Sequence, residues 1–446
     1  MTDPIDFSIP TIDLCAGLDR TLAWTEGNSV RYLVADLIAR RAAIAAPESP
    51  PLNLALAIDV SGSMAGEKLA AARHTANSVA DALGTEDRLS LVAFSSQAIL
   101  LLDAVAMDAS GHAHAAAAIH RLHSSGNTDL SAGWLLAAEH LAIAMQAAPR
   151  ASHRLVLLSD GQANRGITDP TELSRHAGEL LARGIVTSVV GIGDGYDEAL
   201  LGGMVEAGGG RLHDAEHAPE IGEVVLGELR EGRGAALERV RLRVTTPASV
   251  RAEVVGPWAH TALPGTIEVV VGALLPERVR RVVVRLHCSA GQPGDVVLFG
   301  AAADGMLPDG ARSVETGPAD IELRFAHGRD NSAQPRDLDR SQAVMTAWHA
   351  AVLRKAAGLN RAGDRRGARH FLERELQWME RYARGVPGAE AKIGELVLLF
   401  RRVDEDWGAR TRKEVFTEST RLGRYEEDLR SAPRESLAAR LRREQR

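Results

Sequence analysis

The 446-residue sequence has few aromatic side chains, so its cores must rely on aliphatic ones, and it has little cysteine. The two cysteines, Cys15 and Cys288, cannot build a disulfide framework, which favours either a reducing compartment or a protein indifferent to redox conditions. Met1–Pro10 lacks the basic and apolar regions of a signal peptide, so we expect none. No uncharged apolar run is long enough to cross a bilayer. We therefore expect a cytoplasmic protein without a membrane span.

The remaining composition is that of an ordinary multidomain globular protein. Hydrophobic residues make up 45% of the chain and charged residues 25%, which argues against disorder or a fibrous structure. At about 150 residues per domain, the length predicts roughly three domains. The formal net charge of -7 gives the chain no overall attraction to nucleic acid or to an anionic membrane.

Residues 51–231 alternate between strand and helix patterns, which predicts an α/β fold with a doubly wound, mostly parallel sheet. Buried apolar runs indicate strands at Leu52–Asp59, Leu89–Phe94, Ile99–Leu102, Arg154–Ser159 and Val186–Ile192. Helical periodicity indicates the helices between them, the first at Lys68–Leu83 and the last at Ala218–Arg230. We expect this segment to form one domain.

Residues 235–328 alternate apolar and charged residues instead, which predicts an antiparallel β-sandwich of about six strands. Leu237–Thr245 and Arg278–Leu286 show the pattern most clearly. Another strand, at Val30–Ala39, precedes the α/β segment. We expect residues 1–50 to add this strand to the sandwich, so that the α/β domain is flanked or enclosed by it.

Residues 335–446 return to a helical period and carry 25 basic against 18 acidic residues, so this C-terminal region is positive and the remainder negative. Solvated, salt-bridged helices are the simplest interpretation. Alternatively, the basic helices dock on an acidic surface, such as the α/β domain of a neighbouring protomer. Basic and acidic residues are interleaved without a basic-plus-aromatic stripe, which argues against nucleic acid.

Oxygen-bearing side chains cluster where the first buried strand of the α/β segment ends. Asp59, Ser61 and Ser63 occupy alternate positions, and Gly62 lets the loop curl so that the three converge. In an open parallel sheet, ligands bind beyond the carboxyl ends of the strands. Carboxylate and hydroxyl oxygens are hard donors that suit Mg²⁺, Mn²⁺ or Ca²⁺. The sequence therefore predicts a divalent cation site at this turn.

Two more oxygen residues lie at equivalent strand ends, Thr128 before a helix and Asp160 directly after a buried strand. Together, the segments AIDVSGSM (57–64), SGNTDL (125–130) and LLSDGQAN (157–164) resemble the metal-ion-dependent adhesion site of von Willebrand factor A domains. The layout of the chain also resembles bacterial proteins similar to the inter-alpha-trypsin inhibitor heavy chains, which have strands on both sides of the A domain.

The resemblance implies a role for each of these residues. Ser61, Ser63 and Thr128 would bind the ion through their hydroxyls, and Asp59 and Asp160 would bind it directly or through water. In that family Mg²⁺ keeps an open position, which a carboxylate of a partner protein completes. Such a site needs neither a general base nor a nucleophile, so we expect a protein that is not an enzyme.

The expected function is that of an intracellular scaffold or adaptor whose protein partner offers an Asp or Glu. Bacterial A-domain proteins often work beside AAA-type ATPases or in multi-component stress and conflict systems, which is the partner class that the resemblance implies. A secreted or surface adhesin with the same site is an alternative, and a metal-assisted hydrolase is another. The hydrolase would need a base and a substrate pocket that the sequence does not specify.

Two other interpretations stay open at this point, one for the oxygen-bearing residues and one for a separate group of histidines. Ser, Thr and Asp at strand-to-helix turns often do no more than cap a helix. The histidines of GHAHAAAAIHRLH (111–123) could form a second, transition-metal site. An exposed Ala-rich helix with incidental histidines is the simpler explanation of that segment.

Overall fold

The described part of the protein contains three β-sheets and a C-terminal group of helices. The computed structural model describes residues 10–40, 50–161, 163–193, 196–215, 225–227, 229, 233–308, 310, 312–405 and 407–423. The expected α/β fold with an associated antiparallel sandwich and a C-terminal helical segment is confirmed. Among the helices in these ranges, none combines the length and the hydropathy that crossing a bilayer demands.

The described residues form 17 β-strands and 10 α-helices. The strands are β1 Thr11–Leu18, β2 Leu22–Trp24, β3 Ser29–Arg40, β4 Leu52–Asp59, β5 Arg88–Phe94, β6 Ala98–Ala106, β7 Ser152–Ser159, β8 Ile185–Ile192, β9 Gly209–Ala215, β10 Leu237–Thr245, β11 Val250–Val255, β12 His260–Leu263, β13 Thr266–Leu274, β14 Val279–Cys288, β15 Val296–Met306, β16 Ser313–Glu315 and β17 Ala319–Ala326. The α-helices are α1 Glu67–Asp81, α2 Ala109–His120, α3 Leu130–Ala147, α4 Pro170–Ala182, α5 Glu198–Ala207, α6 Gly328–Ala333, α7 Leu338–Arg361, α8 Arg365–Ala383, α9 Ala389–Arg401 and α10 Ala409–Gly423. The helix expected at Ala218–Arg230 lies for the most part outside the described residues.

The α/β domain is built on a sheet with the strand order β6-β5-β4-β7-β8-β9. Its strands are parallel except for β6, which runs antiparallel to β5. Helices bury both faces. Leu54, Leu56 and Ile58 of β4 pack with α1 and α2, and the alternate residues Ala55 and Ala57 pack with α3, α4 and α5. Burial on both faces explains why β4 is a nearly continuous apolar run.

The sandwich consists of two largely antiparallel sheets. One has the order β1-β3-β14-β11, and the other has the order β12-β13-β10-β15-β17-β2, with β16 beside β15. β3 precedes the α/β domain in the chain, yet it pairs with β14, which follows that domain. Leu33, Ala35 and Leu37 of β3 enter the core between the sheets. Tyr32 and Val34 point to the opposite face, where the C-terminal helices cover them.

Candidate metal site

The carboxyl ends of β4 and β7 lie side by side in the middle of the α/β sheet. Asp59 is the last residue of β4, and Asp160 directly follows β7. The loop that contains Thr128 crosses the same edge, because Ser125 N donates a hydrogen bond to Val60 O at 2.7 Å. The fold therefore brings together three segments that are distant in sequence.

Asp59 is fully buried and holds the first two of these segments in place. Its Oδ1 accepts a hydrogen bond from Ser61 N at 2.8 Å, and its Oδ2 accepts one from the Ser159 hydroxyl at 2.6 Å. Ser159 Oγ in turn accepts from Gly161 N at 2.9 Å, which links Asp59 to the turn that carries Asp160. Burial raises the pKa of Asp59, and the negative charge of Asp160 adds to that rise. A cation at this edge would stabilise the ionised carboxylate.

Ser61 and Ser63 present their hydroxyls side by side, with the two Oγ atoms 3.1 Å apart. Ser61 is buried and Ser63 is exposed. Between them, Gly62 N donates to Gly126 O at 3.0 Å, and a Cβ at Gly62 would lie only 3.3 Å from that oxygen. Gly126 has a φ of 77°, in the left-handed region that favours glycine. Close approach of the two loops thus depends on both glycines.

Thr128 is buried and is tied to the loop that follows Asp160. Its N–H donates to Asn164 Oδ1 at 3.1 Å, and its carbonyl oxygen accepts from the N–H groups of Asn164 and Arg165, each at 3.2 Å. The loop of Asp59, the loop of Thr128 and the loop of Asp160 are therefore each hydrogen-bonded to the other two.

Asp160 combines full burial with an incomplete set of hydrogen bonds. Its Oδ2 accepts from Lys68 Nζ at 2.8 Å, while its Oδ1 is buried and has no hydrogen-bond partner among the described residues. Leaving a buried carboxylate oxygen without a partner is unfavourable. An oxygen in this state is suited to bind a cation. Lys68 was not predicted, because its contact with Asp160 joins residues far apart in the chain and no local sequence pattern specifies it.

Helix capping does not explain the predicted residues. The Ser61 side chain makes no capping hydrogen bond to the short 3-10 helix that follows it. The N-cap of α1 is Gly66, and the N-cap of α3 is Asp129, whose Oδ1 accepts from Ala132 N at 2.9 Å. The hydroxyls of Ser61 and Thr128 are thus available for another role.

The donors at this edge fit a hard divalent cation, because they are carboxylate and hydroxyl oxygens. Within the described ranges, no group of three or more His, Cys, Asp or Glu side chains could hold a metal ion. The alternative site among the histidines of residues 111–123 therefore has no such group to support it, and His114, His120 and His123 are exposed. Binding of an ion by Asp59, Ser61, Ser63, Thr128 and Asp160 stays a prediction.

The basic C-terminal helices dock on the α/β domain of the same chain, beside this edge. Lys413 of α10 donates from Nζ to Gly193 O at 2.6 Å and lies 3.7 Å from the centre of the Tyr196 ring. Arg361 of α7 pairs with Asp197 at 2.7 Å and with Glu198 at 2.6 Å. Opposite charges therefore meet across this interface, as the alternative interpretation of the C-terminal region supposed, but within one chain.

Apolar packing completes the interface. Phe416 of α10 lies directly over Gly202 of α5, so that a Cβ at Gly202 would come within 2.0 Å of the ring. Arg354 of α7 stacks over the same ring at 4.4 Å and pairs with Glu206. The absence of a side chain at Gly202 lets α5 and α10 approach each other closely.

Comparison with known proteins identifies the α/β segment. Residues 53–224 match the sequence profile of the von Willebrand factor type A domain. A solved structure, the von Willebrand factor type A protein from Catenulispora acidiphila, has a TM-score of 0.66 at 20% identity and covers 87% of this chain and 89% of that chain. At that identity the likeness shows the fold alone.

Two sequence relatives match with different coverage. An uncharacterized protein from Synechocystis sp. is 25% identical over 336 residues, which are 72% of this chain and 77% of that protein. Inter-alpha-trypsin inhibitor heavy chain H4 from Sus scrofa is 30% identical over 134 residues, which are 29% of this chain and 14% of that protein. Residues 53–224 are therefore a von Willebrand factor type A domain, a protein-interaction and adhesion module of a family whose members commonly bind a divalent metal ion.

Proposed function

We propose that the protein is a divalent-metal-dependent protein-binding module that acts as an intracellular scaffold or adaptor and is not an enzyme. Asp59, Ser61, Ser63, Thr128 and Asp160 would hold Mg²⁺, or Mn²⁺ or Ca²⁺ in its place. The observation that carries the proposal is that three hydrogen-bonded loops surround two buried carboxylates, and that Asp160 Oδ1 has no partner among the described residues.

The donor set favours an acidic partner. Two carboxylates and three neutral hydroxyls leave a bound divalent ion able to accept a further anionic oxygen, which an Asp or Glu of a partner would supply. Ser63 is exposed while the other four residues are buried, so we expect the partner to approach from the side of Ser63. An AAA-type ATPase, or a component of a multi-protein stress or conflict system, is the partner class that we propose.

The test is capture of a partner on the immobilised full chain, in Mg²⁺ and in chelator. We expect a protein that is retained in Mg²⁺ and released by chelator. Asp59→Asn should not retain it, because this variant changes a buried donor at the centre of the site. Asp81→Asn is the matched control, since Asp81 is exposed at the far end of α1. Equal retention in chelator, or by Asp59→Asn, would contradict the proposal.

A further inference from the structure

Lys68 is a cationic side chain that contacts the candidate metal site. It is the second residue of α1, and its Nζ lies 2.8 Å from Asp160 Oδ2. The Asp160 side chain is fully buried, whereas 32% of the Lys68 side chain is exposed. Lys68 can therefore leave the carboxylate toward solvent, while Asp160 cannot move to find another partner.

The alkyl chain of Lys68 runs along the loop that follows β8. A Cβ at Gly193 would lie 3.1 Å from Lys68 Cε, so the glycine leaves just enough room for the stem. The carbonyl oxygen of Gly193 is in turn held by Lys413 of α10 at 2.6 Å. Lys68 is thus directed at Asp160 by a loop that is itself fixed from the other side.

The net charge of the site determines how the contact between Lys68 and Asp160 affects metal binding. Asp59, Asp160 and Lys68 together carry one net negative charge when both acids are ionised. A divalent ion bound among them would turn that sum into one net positive charge. Like charges a few ångströms apart repel strongly in a partly buried site. Lys68 and a divalent ion therefore compete for the carboxylate of Asp160.

We propose that Lys68 is a built-in counter-cation of this site, which neutralises Asp160 when no metal is bound and weakens the binding of the metal. The inference rests on the proposed function, because it needs a metal to compete with. It assigns Lys68 a role in setting the metal concentration at which the site becomes loaded. A purely structural ion pair would stabilise the fold without opposing the metal.

The test compares the full-length wild type with Lys68→Met, which keeps the stem and removes the charge, and with Lys68→Arg, which keeps the charge. Calorimetric titration with MnCl₂ should show roughly tenfold tighter binding to Lys68→Met than to the wild type, the size expected for relief of one charge repulsion near the surface. Lys68→Arg should bind Mn²⁺ with nearly wild-type affinity. Lys355→Met is the matched control, because Lys355 is exposed on α7.

Thermal unfolding supplies a second, independent measurement. In chelator, Lys68→Met should melt below the wild type, because Asp160 loses its counter-charge, and saturating Mn²⁺ should narrow that gap. Equal or weaker Mn²⁺ binding by Lys68→Met would overturn the inference and leave the metal site standing. Absence of Mn²⁺ binding in both the wild type and Lys68→Met would instead overturn the proposed function together with the inference.

Discussion

Lys413 Nζ donates a hydrogen bond to the carbonyl oxygen of Gly193 at 2.6 Å. This contact joins α10 to the loop after β8, and the same glycine lies against Lys68, the partner of Asp160. The backbone of Gly193 and the side chain of Lys68 thus connect the C-terminal helices to a predicted metal ligand. The docked helices help to fix the edge of the sheet at which we propose that the ion binds.

Lys413→Met should lower the free energy of unfolding by about 1–3 kcal/mol, because the half-buried Gly193 carbonyl loses the donor that the buried Lys413 supplies. Methionine keeps most of the apolar part of the lysine side chain, so the fall in the free energy of unfolding measures the contribution of the charge and the hydrogen bond. Urea unfolding of the full chain measures the change. Lys355→Met, on the exposed side of α7, should stay within about 0.5 kcal/mol of the wild type. Similar values for the two variants would argue against a role of Lys413 in docking.

Gly202→Ala should destabilise the protein by about 1–3 kcal/mol, because the new methyl group would overlap the Phe416 ring. Gly178→Ala is the matched helical control. A Cβ at Gly178 meets nothing closer than a carbonyl oxygen at 3.9 Å, so alanine there should be neutral or stabilise by up to about 1 kcal/mol. Thermal unfolding measures the stability of both variants. A Gly202→Ala variant as stable as Gly178→Ala would contradict the close packing of α5 and α10.

Ser159→Ala should weaken Mn²⁺ binding by roughly tenfold, the effect typical of residues that orient metal ligands. Ser159 donates to Asp59 at 2.6 Å and accepts from Gly161 N at 2.9 Å, so its hydroxyl positions both acids without being a predicted ligand. Ser90→Ala is the control, since Ser90 is a buried β5 serine whose hydroxyl accepts from Ala104 N. Calorimetry should show unchanged Mn²⁺ affinity for Ser90→Ala. Wild-type affinity in Ser159→Ala would show that its hydroxyl has no positioning role.

Because His349 is buried, we expect the free energy of unfolding to fall in acid. Burial and the nearby charge of Lys392 lower the pKa of His349 to about 3, although Glu395 Oε2 lies 3.3 Å from Nε2. The unfolded chain binds a proton near pH 6.5, whereas the folded chain does not, so the free energy of unfolding falls as the pH drops from about 6.5 toward 3. At pH 5 this single group accounts for about 2 kcal/mol.

His349→Gln isolates that contribution, because all other titrating groups are shared with the wild type. Urea unfolding at pH 7 and pH 5 should show a loss for the variant that is smaller by about 2 kcal/mol than the loss for the wild type. Equal losses would mean that His349 does not resist protonation in the folded protein.

Elements with a strong apolar period could be predicted from the sequence, and weakly patterned ones could not. β4 was expected at Leu52–Asp59 and is found there, because both of its faces are buried. β9 was missed, since its opening Gly209-Gly210 is typical of a turn and only pairing with β8 extends it. Glycine alone does not mark a helix boundary, since Gly358 lies within α7, which ends near Gly363 at a φ of 71°.

In the candidate site, too, some residues could be predicted from the sequence and others could not. Residue type and spacing pointed to Asp59, Ser61 and Ser63 because they share one turn, and Thr128 and Asp160 followed from the ends of predicted elements. The contact between Lys68 and Asp160 joins residues far apart in the chain, and nothing in the local sequence specifies it. The docking of the C-terminal helices depends likewise on tertiary packing, although the charge asymmetry of the chain suggested an acidic surface as their target.

Binding of a divalent ion by Asp59 and its neighbours can be measured by calorimetric titration of Mg²⁺ and Mn²⁺ into the metal-free full chain. We expect binding of millimolar or tighter affinity in the wild type and in Asp81→Asn, and its loss in Asp59→Asn. Unchanged binding by Asp59→Asn, or no binding by the wild type, would contradict it.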